Sequence, residues 1–138
     1  MSMMACTFTS LKRISVPGGD VLKMLTAEEQ GALEFGEIYA THIDSGLVKS
    51  WRRNLNATAN LIVVAGQVRF VTTFDGDKFD EFVMSPEHDY GRLRIEPNYW
   101  MAFQGLSLCT SLIVNILDNV HTAVEIERKE LNEFKYRW

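Results

Sequence analysis

Residues 36–75 constrain the fold more than any other part of the chain. They read GEIYATHIDSGLVKSWRRNLNATANLIVVAGQVRFVTTFD, a succession of short extended segments parted by turn residues. Glu37–Ile43 is rich in β-branched and aromatic side chains, and Asp44-Ser45-Gly46 supplies a turn. Residues 47–54 run extended with a row of polar heads. Residues 61–65 are continuously apolar, which predicts a strand buried on both faces. Gly66 breaks that run. In the next strand Val68, Phe70, Thr72 and Phe74 share one face, and Gln67, Arg69, Val71 and Thr73 the other. If the sheet closes on itself, polar groups inside it form the candidate site.

The rest of the chain repeats this style. Residues 11–16 and 21–25 read as short strands around the turn Pro17-Gly18-Gly19-Asp20. Thr26 followed by acids is a capping pattern that opens a helical turn. Asp75-Gly76-Asp77 is a hairpin turn; it lacks the further ligands of a calcium loop. Strands are predicted over residues 78–84, 92–95, 99–103 and 108–117, with residues 1–10 a loose lead and residues 118–138 a charged tail. About ten short strands without a long helix predict one all-β domain over residues 1–138, a sandwich or jelly-roll barrel. There is no 20–50-residue repeat and no glycine-rich phosphate loop opening a helix, which argues against solenoids and nucleotide-binding α/β folds.

Charge narrows the partners. The 138 residues carry a net charge of −4, without the basic footprint of a nucleic-acid binder. Yet Lys49, Arg52, Arg53 and Arg69 all fall in the organising stretch, a local basic site suited to an anionic small molecule. Cys6 and Cys109 match no redox or metal spacing, and free thiols in a reducing cytoplasm are expected. Without a membrane-length apolar run or a secretion signal at Met1-Ser2-Met3-Met4, the expected location is cytoplasmic, with no membrane partner.

Several segments, in this order, resemble the short branch of the dTDP-4-dehydrorhamnose 3,5-epimerase family, a cupin-type jelly roll. They are Gly36-Glu37-Ile38-Tyr39, Gly46-Leu47-Val48-Lys49-Ser50-Trp51 and Val64-Ala65-Gly66-Gln67-Val68. Ile95-Glu96-Pro97, the run from Trp100 through Leu106, Val114-Asn115, the run from Glu125 to Arg128 and Tyr136-Arg137-Trp138 complete the set. The resemblance implies a homodimer and a nucleotide-linked 4-keto sugar, epimerised by removing and returning a proton beside the ketone. That chemistry needs a base, an acid on the opposite face and a group that steadies the enolate.

In the family a histidine follows the position of Trp51; here it is Arg52, which stays protonated at neutral pH. A second histidine commonly stands where this chain has Asn54, and another where it has Met101. The tyrosine acid of the last long strand falls nearest Val114. The ligand-binding candidates are therefore Arg52, Asn54, Arg69, Trp51, Trp100 and Met101. Asp118 and His121 form a weaker proton-transfer pair. His42, His88 and His121 have no metal-site spacing, so neither a metal nor another cofactor is expected. Two functions stand open: a sugar-nucleotide epimerase or isomerase, and a catalytically silent module that binds a small ligand or serves as structure.

Overall fold

The computed structural model describes residues 6–29, 34–120 and 125–138. The described chain is built from strands β1 (Thr7–Ser10), β2 (Arg13–Ile14), β3 (Val21–Leu22), β4 (Glu37–Ile43), β5 (Val48–Asn54) and β6 (Ala59–Ala65). They continue as β7 (Val68–Thr73), β8 (Asp80–Met84), β9 (Gly91–Ile95), β10 (Trp100–Gly105), β11 (Ser111–Leu117) and β12 (Ile126–Arg128). One sheet has the order β1-β9-β6-β11-β4, its partner β12-β5-β10-β7-β8, and β2-β3 form a small hairpin. All ladders between these strands are antiparallel. This is an all-β cupin-type jelly roll.

Period-two alternation sorts the side chains into three apolar clusters. The interior between the sheets takes Ile43, Leu61, Val63, Phe70, Leu93, Met101, Ile113 and Leu117. The outer face of the β6–β11 sheet takes Ile62 and Ile116, covered by Leu11, Leu22, Met24 and Leu25. The outer face of the β5–β10 sheet takes Trp51, Val71, Trp100 and Ala102, covered by Leu131, Phe134, Tyr136 and Trp138. The central strand β6 is thus buried on both faces, as its apolar run requires.

Both chain ends differ from their expected looseness. Residues 7–10 form β1 and pair with β9 in register Thr7↔Arg94 to Ser10↔Gly91. In the tail, Ile126↔Asn54, Glu127↔Arg53 and Arg128↔Arg52 pair β12 onto β5, and a short 3-10 turn follows at Leu131–Glu133. Neither strand has a long apolar run; each is short and held by a neighbour's unpaired backbone edge. The capping pattern at Thr26 closes a single turn, in which the Glu29 amide donates to the Thr26 carbonyl at 3.2 Å.

One irregularity shapes the interior. Met101 pairs with Arg52, but Phe103 pairs with Lys49, so Ser50 and Trp51 together oppose the single residue Ala102. This is a β-bulge in β5. Plain alternation puts positions 49 and 52 on opposite faces. The extra residue turns both toward the interior while Trp51 packs outside.

Candidate functional site

An open-mouthed cavity of about 550 Å³ lies between the sheets. Its floor is apolar, with Leu61, Phe70, Met101, Phe103 and Ile113. Lys49, Arg52, Arg128 and Lys129 line it beside two carboxylates, Glu130 and Glu133, but the Lys129 ammonium lies on the outer face, 5.3 Å from the Trp100 ring centroid and 4.0 Å from Glu133. The bulge supplies the first two cations and β12 with its continuation supplies the others.

At its centre three strands bring polar groups together. Arg52 Nη2 of β5 donates to the Tyr39 hydroxyl of β4 at 2.8 Å. Asn115 Nδ2 of β11 donates to the same oxygen at 2.9 Å. Asn115 is 4% exposed, and its Oδ1 is buried without a hydrogen-bond partner. Two donors converging on one phenolic oxygen form an arrangement that stabilises negative charge developing there. A buried amide oxygen without a partner is costly, and a ligand hydroxyl relieves it.

The sequence-chosen residues separate into groups. Trp51, Arg52 and Met101 are among the residues lining the cavity. Asn54 shares the face of Arg52 by alternation, at the end of β5 opposite Ile126, and is not among the lining residues. Arg69 lies on the outer face, where Nη1 donates to Gln104 Oε1 at 3.2 Å and Nε lies 3.5 Å from Glu81. Arg52, Asn54 and Arg69 therefore do not converge. The ring of Trp51 is in the outer cluster at 0% exposure, and that of Trp100 at 5%, so neither face is open for stacking a ligand. Instead Arg53 lies 4.7 Å from the Trp100 ring centroid on that outer side.

Asp118 has a structural task. Its Oδ1 accepts the Thr58 amide at 2.8 Å. His121 lies outside the described residues. His42 is exposed on the outward face of edge strand β4, and His88 sits in an exposed loop where its amide donates to Ser85 Oγ at 3.0 Å. Val114 belongs to the outer cluster of its sheet, so the inward position on β11 is its neighbour Asn115.

Tyr39 and Asn115 are the site residues that sequence reasoning passed over. Both lie inside segments quoted for the family resemblance, and the alternation of β4 places Tyr39 with the buried Ile43. The missing information was cross-strand register: Asn115 pairs with Tyr39 across the β11–β4 ladder.

No family model matches the sequence, and no curated protein does. Solved structures do match. A dTDP sugar isomerase from Desulfovibrio desulfuricans is 27% identical, with 96% of this chain and 90% of that chain covered and a TM-score of 0.90. A dTDP-4-dehydrorhamnose 3,5-epimerase from Bacillus anthracis, with TDP and PPi bound, is 13% identical at a TM-score of 0.82, covering 96% of this chain and 84% of that one. A sugar 3,4-ketoisomerase from Thermoanaerobacterium thermosaccharolyticum in complex with TDP is 14% identical at a TM-score of 0.75, with 94% of each chain covered.

Proposed function

We propose that this chain, which has the cupin fold of the dTDP-sugar epimerases and isomerases, binds a nucleotide-linked deoxysugar and isomerises it by proton transfer at Tyr39. The observation that carries this reading is the hydroxyl of Tyr39 held between Arg52 and Asn115 beside a cavity rimmed with cations. The diphosphate of such a ligand meets Lys49 and Arg128 at the rim, where charge-assisted hydrogen bonds are strong. The sugar lies over the apolar floor, and one of its hydroxyls donates to Asn115 Oδ1. The part of Arg52 is to hold the phenolic oxygen and to stabilise an enolate oxygen. Tyr39, which stands behind the lining residues Arg52 and Asn115, carries the proton; no histidine is among the described lining residues.

The test is solvent deuterium exchange into a dTDP-4-keto-6-deoxyhexose. Wild type should incorporate label above a buffer blank, and Tyr39→Phe should lose about 10²–10⁴-fold, the span of general acid–base catalysis. An unlabelled product from wild type, or a Tyr39→Phe enzyme as fast as wild type, overturns the assignment.

The second reading is a silent binding module, favoured by Arg52 and Met101 standing where the resembled family carries histidines. In that case dTDP raises the melting temperature and no label enters. Either way the location we propose is the cytoplasm and the assembly a homodimer. Among the described residues no helix is long and apolar enough to cross a membrane. Phe35 at 70% and Ile38 at 54% exposure leave apolar surface beside the edge strand β4, which supports pairing of two chains.

A further inference from the structure

The rim cation Arg128 and its neighbour Lys129 belong to a segment that reaches the cavity from outside the barrel. Ser50 Oγ donates to the Lys129 carbonyl at 2.6 Å, and the Lys129 amide donates to the Trp51 carbonyl at 2.9 Å. Trp51 Nε1 donates to the Leu131 carbonyl at 3.2 Å. Farther along, Phe134, Tyr136 and Trp138 set their rings 5.2, 6.4 and 5.9 Å from that of Trp51. The Tyr136 hydroxyl donates to Glu81 Oε1 at 2.7 Å, on the strand farthest from β12 in that sheet. Trp51 therefore lies under the tail, and its neighbours Ser50 and Arg52 line the cavity.

We infer that Tyr136 and Trp138 are positioning residues for the anion site: their clamp on the outer face, where the Lys129 ammonium lies over Trp100 and Phe134, fixes Arg128 at the cavity rim. The inference rests on the anionic ligand proposed above. Neither aromatic residue is among those lining the cavity. Each acts through Trp51 and the backbone of residues 128–131. Ring contacts of this kind order a chain segment that has only three ladder pairs of its own. A ligand that draws on Arg128 gains affinity when the segment is already ordered, since less freedom is lost on binding.

The experiment uses dTDP as probe, titrated calorimetrically against the whole chain. Trp138→Ala should weaken binding about tenfold, within the usual coupling between contacting residues. Trp138→Phe should restore most of it; the indole Nε1 is buried without a partner, so its loss leaves no broken hydrogen bond. The double variant Trp138→Ala with Arg128→Ala should bind no more weakly than the worse single change, because both remove the same contact. A general loss of stability, by contrast, adds to the loss at Arg128.

Amide exchange gives a readout that needs no ligand. Trp138→Ala should speed exchange at Lys129, whose amide is tied to Trp51, while β6 keeps its protection. If Trp138→Ala binds dTDP as wild type does, or leaves Lys129 exchange unchanged, the clamp is refuted. Wild type that does not bind dTDP refutes the anion site itself, whatever the exchange at Lys129.

Discussion

Cys6 and Cys109 show how far two like residues diverge once placed. Cys109 is exposed, in the turn before β11. Cys6 stands just ahead of β1, packed against the interior cluster. Burial pushes its thiol up from 9.0 to about 11, opposed in part by a hydrogen bond from the Glu96 backbone. The thiolate is the reactive form. At pH 8, iodoacetamide should therefore label Cys109 well before Cys6, as peptide mass spectrometry reads out; equal labelling of the native protein refutes the placement. The stability linked to Cys6 follows the same shift. An acid whose folded value is raised keeps its proton longer in the native state. Its contribution is complete below pH 9 and lost as pH rises toward 11. At this scale the sequence identified two free thiols, but their unequal environments come from neighbours distant in sequence, such as Thr72, Asp80 and Glu96.

Among the elements, the hairpin turn at Asp75-Gly76-Asp77 ties the local sequence to the tail. Asp75 Oδ1 accepts the amides of Asp77 at 2.9 Å and Lys78 at 3.0 Å, and these bonds hold its carboxyl below the usual range. Gly76 has φ +78°, and a methyl group there meets Phe134 at 2.6 Å. Gly76→Ala thus adds left-handed strain to a clash with the aromatic tail. It should destabilise the fold by about 1–3 kcal/mol and lower the melting temperature by several degrees. Asp77→Ala, which keeps the glycine, is the control; equal melting temperatures for the two variants would show that neither constraint acts. The turn was legible because Asp-Gly is a local signal. β4 to β11 were legible too, each carrying alternation or an apolar run. β1 and β12 were not: TFTS and IER are too short and polar to declare themselves, and their pairing is set by partners far along the chain. The face occupied by Arg69 was readable as opposite to Phe70, but which of the two faces inward needs the second sheet.

For the molecule as a whole, the outer faces of the two sheets are covered alike by flanking chain. Leu11, Leu22, Met24 and Leu25 cover one and the aromatic tail the other, so the two apolar clusters outside the barrel belong to chain segments beyond its central strands. What remains exposed includes Phe35, Ile38, Leu47 and Leu108. Two-fold pairing is the commonest way to cover such surface. Light scattering at low micromolar concentration should give twice the chain mass of 15.8 kDa, and a species of the single mass alone refutes the dimer.

The bulge in β5 has a consequence best put as parity. Each strand residue is odd or even, and parity decides whether a side chain is kept in or sent out. By inserting one residue opposite Ala102, the chain changes parity midway along β5. Lys49, odd, and Arg52, even, thus come to the same side. A mutation that deleted one residue here would leave strand length and composition almost untouched, yet reverse the assignment of everything on one flank. Substitution can tune this site one group at a time; a change in length rewrites half a strand at once. The segment around Ser50 and Trp51 should therefore accept replacement far more readily than insertion or deletion.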